Sequence, residues 1–364
     1  MTVAARVGAI ILLNALLAAV VQLTAASPKL TDRQEYEWVG HHPLEPGCGW
    51  TVYCYRVLVP VLLEQIPVDS EVRWRGYQWA ANTAAGSLVA VTTAGLVTGW
   101  PAPFLATAMV QSSFGFAFTA LDPYSADPMV FVFAAGLAWL WFANRPGAAL
   151  AAGLVGLFAK ETVVLVSGAA GLAALLDRRR PGWRWWVVQA GIAATALLAF
   201  HWVMDTYFGW GITRNAAARF SEGSWLALWW RGNPGVVRKA FRLFAPFGFA
   251  WLFAIAGYRT APRDLRQLAL GAVLPFLALN YVQNPERALA NTFFVVVPLA
   301  TLALSRVPPA VALGAVMTNG ALTARIGTGT EWLPAASFLF GPALVMAAWV
   351  FWHWRSSPTA ISTA

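Results

Sequence analysis

The sequence has few charged residues and few cysteines. Charged side chains account for 11% of its 364 residues, whereas a soluble domain usually carries about 25%. The two cysteines lie close together, at Cys48 and Cys54. Internal repeats, low-complexity tracts and the motifs of P-loop, Rossmann, zinc-protease and nucleophile-elbow enzymes are also missing. These absences argue against an ordinary soluble domain and against the common nucleotide-binding and hydrolase classes.

Apolar residues are abundant instead. Hydrophobic side chains make up 59% of the chain, and the mean hydropathy is +0.58. Apolar runs of about 16–22 residues recur from end to end, and each is long enough, or nearly so, to cross a hydrocarbon core about 30 Å thick. Many of the 20 tryptophans lie near the ends of these runs, where indole rings favour the membrane–water interface. The pattern predicts an all-α, polytopic transmembrane bundle of about twelve helices.

Turn residues such as Asn144-Arg145-Pro146-Gly147 separate the predicted spans. The spans cover approximately residues 7–24, 75–97, 101–119, 127–143, 147–161, 163–177, 184–205, 237–257, 265–282, 288–305, 308–323 and 334–353. The first run could also be a cleaved signal peptide, but an uncleaved first helix serves a membrane-embedded chain equally well. We therefore interpret residues 1–364 as a single transmembrane domain.

Basic residues predict the orientation of these spans. With the N-terminus in the cytoplasm, the inner side holds eleven arginines, whereas the short outer connections hold only Lys160, Arg287 and Arg325. The positive-inside rule counts this asymmetry. It predicts a multi-pass inner (plasma) membrane protein with both termini in the cytoplasm. The net charge of +9 then reflects topology, and we expect no nucleic-acid partner.

Acidic residues indicate where carboxylate chemistry is available. Of the 16 acidic residues, all except Asp177 and Asp264 lie on or near the outer face. Cys48 and Cys54 lie on the same side, where an oxidising compartment could join them in a disulfide. Partners for a papain-like catalytic thiol are not evident in the sequence.

Two long outer segments, 26–74 and 206–242, separate spans in this topology. Both are too short and too apolar to form independent domains. Within them, residues 53–66 and 224–242 combine apolar and basic positions but are too short to span. We expect helices that lie in the membrane interface at both places.

The first outer loop is the richest in candidate chemistry. Asp32, Glu35 and Glu37 fall within six residues just beyond a membrane helix, and any of them could act as a general base. The competing interpretation is a solvated acidic loop. His41 and His42 could bind a divalent metal, but adjacent histidines share no helical face and no third ligand has diagnostic spacing. The sequence therefore leaves a divalent metal open without supporting it, and it indicates no other cofactor.

Other ionisable residues interrupt the later outer connections. Asp122 and Asp127 each precede a proline, so they could cap helices rather than act chemically. Lys160 and Glu161 interrupt an apolar stretch, where ionisable groups usually face an interior or a cavity. Their alternative role is a local salt bridge. Arg287 could bind phosphate through two nitrogens, or it could pair with the preceding glutamate.

Several of these stretches resemble motifs of bacterial GT-C-type integral membrane glycosyltransferases. In the first outer loop, Asp32-x-Gln34-x-Tyr36 resembles a D-x-Q-x-Y stretch, and Cys54-Tyr55-Arg56-Val57-Leu58-Val59-Pro60 resembles an interface helix of that family. Asp122-Pro123 and Asp127-Pro128 resemble its acidic second outer loop, and Phe158-Ala159-Lys160-Glu161-Thr162 resembles its TKE-[ST] segment. The stretch that begins at Arg287 resembles a later R-x-x-x-x-x-[FY]-P span. The matches occur in order across roughly residues 7–300.

The resemblance implies a GT-C fold and transfer of a sugar from a polyprenyl-phosphate donor to a glycan, lipid or protein acceptor outside the cytoplasm. It implies that Asp32 is the general base, with Asp122 or Asp127 as the second-loop acid. Arg56, Lys160 and Arg287 are then candidates to bind the donor phosphate, because preorganised cations stabilise a leaving anion. Two alternatives remain: a transporter or flippase of a lipid-linked or anionic substrate, and a non-catalytic subunit of envelope glycan assembly.

Overall fold

A computed structural model describes residues 2–25, 32–46, 48, 52–99, 101–210, 235–278, 285–328 and 332–356. Within these ranges the chain forms helices and no strands, which confirms the all-α prediction for this part of the protein. The helices of the first half are α1 (Val3–Thr24), α2 (Arg33–His41), a 3-10 turn (Val52–Tyr55), α3 (Leu58–Glu64), α4 (Ser70–Leu96), α5 (Ala102–Gln111), α6 (Phe114–Leu121), α7 (Asp127–Phe142), α8 (Pro146–Gly156) and α9 (Thr162–Leu176). The second half contains α10 (Trp183–Tyr207), α11 (Val236–Phe244), α12 (Ala250–Tyr258), α13 (Arg263–Ala278), α14 (Pro285–Ala290), α15 (Phe293–Leu304), α16 (Pro309–Thr328) and α17 (Trp332–Ser356).

Several predicted spans are interrupted in the structure. Residues 101–119 form α5 and α6, which are bent by 43° relative to each other. Ser113 lies at this break and its hydroxyl donates to the carbonyl of Val110 at 2.8 Å. Residues 288–305 break in the same way, where the Thr292 hydroxyl donates to the carbonyl of Leu289 at 2.8 Å. Hydroxyl groups that bond to nearby carbonyls compete with the helical ladder. Thr93 and Thr318 make similar bonds inside continuous helices, so these bonds accompany the breaks and the packing must also support the bends.

Parts of the two long outer segments, residues 53–66 and 224–242, were predicted as interfacial helices. Residues 53–66 form the 3-10 turn and α3 rather than one continuous helix. Of the segment 224–242, residues 224–234 lie outside the described residues, and the remainder belongs to α11.

Two described helices, α1 and α10, are long and apolar enough to cross a membrane. The bent pair α5 and α6 makes a third if it counts as one span. Four shorter apolar helices, α7, α8, α9 and α15, fall below the length used for a single crossing.

The helices pack through small residues. Helix α9 lies between α10 and α13, α12 packs against α15, and α4 contacts α1, α5 and α7. A Cβ atom at Gly257 would overlap the backbone carbonyl of Leu299, and one at Gly271 would overlap the carbonyl of Ala169. Such close backbone approach is typical of helix pairs in membranes, where packing rather than the hydrophobic effect holds helices together.

Alanine at the close contacts should therefore destabilise the protein. We expect Gly257→Ala and Gly271→Ala to lower the free energy of unfolding by about 1–3 kcal/mol or more, because the backbones must separate. Gly168→Ala and Gly191→Ala are matched controls, since a Cβ there meets nothing within 4 Å. These controls should be neutral or slightly stabilising, because alanine favours a helix over glycine. Thermal unfolding in detergent measures both pairs, and equal midpoints would contradict the packing argument.

Buried amides join α1 to its neighbours. Asn14 on α1 donates to the Thr107 hydroxyl at 3.1 Å and accepts a hydrogen bond from Gln111 at 2.9 Å. Gln111 also donates to the backbone carbonyl of Asn82 on α4 at 2.9 Å. All four residues are buried. These polar contacts give α1 a specific orientation, although Ile10 and Ala18 are its only buried apolar residues.

Ion pairs tie together the end of the bundle that was predicted to face inward. Asp177 pairs with Arg263, and Arg180 pairs with Asp264 at 2.8 Å. The Arg180 guanidinium also lies 3.7 Å from the centroid of the Trp141 ring. Both acids predicted on the inner side thus serve as partners of arginines between α9 and α13. Several of the acids predicted on the outer side contact basic residues at the opposite end of the bundle.

Candidate functional site

A buried ion cluster joins three connections that are far apart in the sequence. Lys160, after α8, contacts Oδ1 of Asp127 through Nζ, and Arg287, on α14, contacts Oδ2 of Asp127 through Nη2 at 2.7 Å. Asp127 is 7% exposed. Asp122 lies on the far side of Arg287, with its Oδ2 4.0 Å from Nη1. The structure therefore brings together four of the residues that the sequence singled out.

These contacts argue against the local roles that the sequence also allowed, which were helix capping by Asp127 and pairing of Lys160 and Arg287 with their neighbouring glutamates. The Asp127 carboxylate contacts two cations that are far away in the sequence, and it does not cap α7. Lys160 pairs with Asp127 and not with its neighbour Glu161. Glu286, next to Arg287, lies 3.9 Å from Arg242 on α11. Each of these pairs joins separate elements, so the cluster holds this end of the bundle together.

Arg56 forms a second part of the site beside Lys160. Its Nη2 lies 2.9 Å from Oε1 of Glu161, and its Nη1 is 3.5 Å from the Tyr36 hydroxyl. Burial alone would lower the pKa of Arg56, but the neighbouring Glu161 and Tyr36 raise the pKa, so the guanidinium stays charged. Burial raises the pKa of Tyr36 to about 12, which keeps its hydroxyl protonated at neutral pH. That hydroxyl also accepts a hydrogen bond from the backbone N–H of Ala126 at 3.3 Å.

Asp32 lies at the edge of this site, at the start of α2. It is partly exposed, and the Tyr53 hydroxyl is hydrogen-bonded to it. The Tyr53 ring packs against Tyr36, with centroids 4.7 Å apart, and lies 5.3 Å from the Arg56 guanidinium. Asp32 forms no ion pair with any residue that the structure describes. It therefore has solvent access and is separated from the cations by aromatic rings.

The other two acids of α2 differ from Asp32. Glu37 is bound by Arg33 at 2.8 Å and by the Ser70 hydroxyl, which in turn lies 3.4 Å from the Tyr124 hydroxyl. The Glu37 carboxylate is thus already engaged by a cation and a hydroxyl. For Glu35, the Oε2 atom is buried without a hydrogen-bond partner among the described residues. The geometry thus favours Asp32 over Glu37 as a base, and Glu35 remains a second choice.

The two histidines predicted as secondary candidates lie away from the cluster. His41 is exposed, with Nε2 3.6 Å from Glu64. His42 stacks on Trp38, with ring centroids 5.0 Å apart. In the described ranges, no group of three or more His, Cys, Asp and Glu side chains is placed to hold a metal ion.

Cys48 and Cys54 are joined by a disulfide next to the site. Both are buried among aromatic side chains. Tyr55, one residue further, stacks on His201 with ring centroids 4.2 Å apart and donates to Asp205 at 2.5 Å. The disulfide and these contacts anchor the 3-10 turn on α10, and so they position Arg56.

An apolar groove of about 380 Å³ lies between α12, α13 and α15, and Leu289 of the short helix α14 lines it. Its lining includes Trp251, Ile255, Val273, Leu289, Thr292 and Val296. Leu289 is only two residues from Arg287 on the same helix. Ile255 and Val273 are 63% and 52% exposed, so the groove is open to the surface of the bundle.

Sequence reasoning missed several members of this site. Tyr53 and Arg242 were not singled out, although both belong to segments that were predicted to be interfacial. Tyr53 could have been found as an aromatic residue close to Arg56 in the sequence, and Arg242 as a cation on an amphipathic helix. No protein-family model matches the chain, and no curated protein is significantly similar to it.

Proposed function

We propose that this protein is a membrane glycosyltransferase of the GT-C kind. It transfers a sugar from a polyprenyl-phosphate donor to a cell-envelope acceptor on the extracytoplasmic side. The observation that carries the proposal is the convergence of Arg56, Lys160 and Arg287 at one end of the bundle, where the helix that carries Arg287 also contributes Leu289 to an apolar groove. Cations beside an apolar groove suit an amphiphile with an anionic head and a long hydrocarbon chain.

The chemistry follows from the positions of these groups. Asp32 accepts the proton of the acceptor hydroxyl, whose oxygen then attacks the anomeric carbon of the donor sugar. The bond between that carbon and the phosphate oxygen breaks, and the electron pair leaves with the polyprenyl phosphate. Arg56, Lys160 and Arg287 stabilise the negative charge on this leaving group. Attack from the face opposite the phosphate inverts the anomeric configuration.

The proposed topology has about twelve crossing segments, some of them broken, in the plasma membrane. The apolar helices α1 and α10 support a membrane location. Both termini are cytoplasmic in this proposal, which rests on the distribution of arginines. The Cys48–Cys54 disulfide fits an extracytoplasmic position for the site, because disulfides persist in oxidising compartments.

Transfer can be measured directly in proteoliposomes. The purified full-length chain is reconstituted with radiolabelled polyprenyl-phosphate sugars and a cell-envelope lipid and glycan extract as acceptor. We expect loss of label from the donor and gain of label in an acceptor product, dependent on the protein. A Lys160→Met/Arg287→Gln double variant serves as the inactive control. If donor is never consumed while lipid-linked sugar or anion flux is observed, the protein is a transporter instead.

Sidedness can be tested in the same preparation. A variant with serine at positions 48 and 54 has no cysteine, because the sequence contains only two. Single cysteines introduced beside Asp32 and beside Arg179 should then be labelled from opposite sides of the membrane. Outer labelling next to Arg179 would invert the proposed orientation.

A further inference from the structure

The cation cluster contains an anion of its own, which lies between two of the cations. Asp127 directs one carboxylate oxygen to Lys160 and the other to Arg287. Its side chain is 10% exposed, and those of Lys160 and Arg287 are 15% and 27% exposed. A carboxylate held in this way is a poor general base, since proton uptake would break contacts with two buried cations. Asp127 must therefore do something other than remove a proton.

The charges of the cluster balance. Arg56, Lys160 and Arg287 supply three positive charges, and Asp122, Asp127 and Glu161 supply three negative ones. Arg56 is engaged by Glu161, Lys160 pairs with Asp127, and Arg287 lies between Asp127 and Asp122. A phosphate that approaches Lys160 and Arg287 therefore meets cations that are already neutralised by carboxylates, and direct contact requires a carboxylate to give up its partners.

Phosphate and carboxylate present similar pairs of oxygens to the same donors. Guanidinium groups bind both through parallel hydrogen bonds, and ammonium groups bind both as point charges. Two cations that hold a carboxylate between them are consequently spaced to hold a phosphate. Without any anion, Lys160 and Arg287 would be left as like charges in a buried site, which is strongly unfavourable.

We propose that Asp127 is an internal anion that takes the place of a phosphate between Lys160 and Arg287 and gives up both cations when a phosphate ligand binds. This inference rests on the proposed function, because it assumes that the ligand carries a phosphate. Asp127 is then a positioning residue that preorganises the two cations and competes with the ligand. After the reaction it recaptures the cations and favours release of the phosphate product.

The test measures binding of dodecyl phosphate, a soluble alkyl phosphate, to the full-length protein in detergent by calorimetry. We expect Asp127→Asn to bind this probe about tenfold more tightly than the wild type, because the competitor is neutral. Asp122→Asn is the matched control for net charge. It removes one negative charge beside Arg287 but not from between the two cations, so its gain should be about threefold or less. Asp69→Asn, whose carboxylate accepts from the backbone N–H of Glu71 at the start of α4, should show no gain.

The outcomes separate this inference from the proposed function. If Asp127→Asn binds the probe no more tightly than the wild type while Lys160→Met binds it more weakly, the phosphate site stands and the internal-anion role is wrong. An equal gain for Asp122→Asn and Asp127→Asn also overturns the role, since net charge alone would explain it. If neither wild type nor Asp127→Asn binds any alkyl phosphate, both proposals fail.

A second variant and a wild-type measurement cover the case in which Asp127→Asn does not fold. Asp127→Ser keeps a hydroxyl acceptor for Lys160 and should gain affinity in the same direction. In the wild type, infrared difference spectra should show a shift of an aspartate carboxylate band when dodecyl phosphate is added. Absence of this shift at saturating probe would contradict the exchange of partners.

Discussion

Asp32→Asn should reduce the rate of sugar transfer by about 100- to 10,000-fold, because a positioned general base contributes about that much. The amide is close in size and can still bond to Tyr53, so the loss should fall mainly on kcat and leave donor affinity nearly unchanged. Turnover of radiolabelled donor in proteoliposomes and binding of dodecyl phosphate in detergent measure the two effects separately.

Asp69→Asn is the matched control for Asp32→Asn. Asp69 lies in the same outer loop and accepts a hydrogen bond from the backbone N–H of Glu71 at the start of α4. Its loss should cost about 1 kcal/mol of stability or less and little activity. Transfer at the wild-type rate by Asp32→Asn would exclude Asp32 as the base and would direct attention to Glu35. The transfer rate of Glu37→Gln then tests the third acid of α2.

Arg287→Gln and Lys160→Met should each weaken donor binding by about 10- to 100-fold, since a hydrogen bond to a charged group contributes about 1.5–3 kcal/mol. The effect is reinforced because Asp127 keeps its negative charge and loses a partner. The same changes remove one member of a buried ion pair, so thermal stability should also fall. The KM for donor and the unfolding midpoint, measured on the same samples, report the two consequences.

Arg75→Gln separates a specific phosphate contact from a general loss of positive charge. Arg75 pairs with Glu71 one helical turn away at 2.8 Å on the surface of α4, and such exposed pairs contribute about 0.2–1 kcal/mol. Donor KM in Arg75→Gln should stay within about twofold of the wild type. An effect as large as that of Arg287→Gln would mean that long-range charge, and not the cluster, governs binding.

The ion cluster shows which parts of the site can be found from sequence. Asp127, Lys160 and Arg287 stand out because ionisable groups among apolar residues are unfavourable unless they face a cavity or a partner. Their alternating positions between apolar runs also placed them at the same end of the bundle. The sequence did not reveal which acid pairs with which cation. Adjacent opposite charges suggested local pairs, yet Arg56 and Glu161 meet across 105 residues.

The helix breaks show a second limit. An apolar run predicts burial or lipid contact but does not report whether its backbone stays helical throughout. Ser113 and Thr292 redirect the chain through hydrogen bonds of their own hydroxyls, and such bonds compete with the helix only where packing supports the bend. Composition therefore predicted where helices lie, whereas tertiary contacts decide which runs continue as one helix.

The buried amides of α1 have a consequence for biosynthesis. Asn14 leaves the ribosome before its partner Thr107, which is 93 residues later in the chain. At about 5–20 residues per second, translation separates the two by roughly 5–20 s. During that interval an amide on the first helix has none of its final partners from α5. We therefore expect the nascent first helix to stay beside the insertion machinery until α5 emerges, so that the order of synthesis sets the order in which the bundle closes.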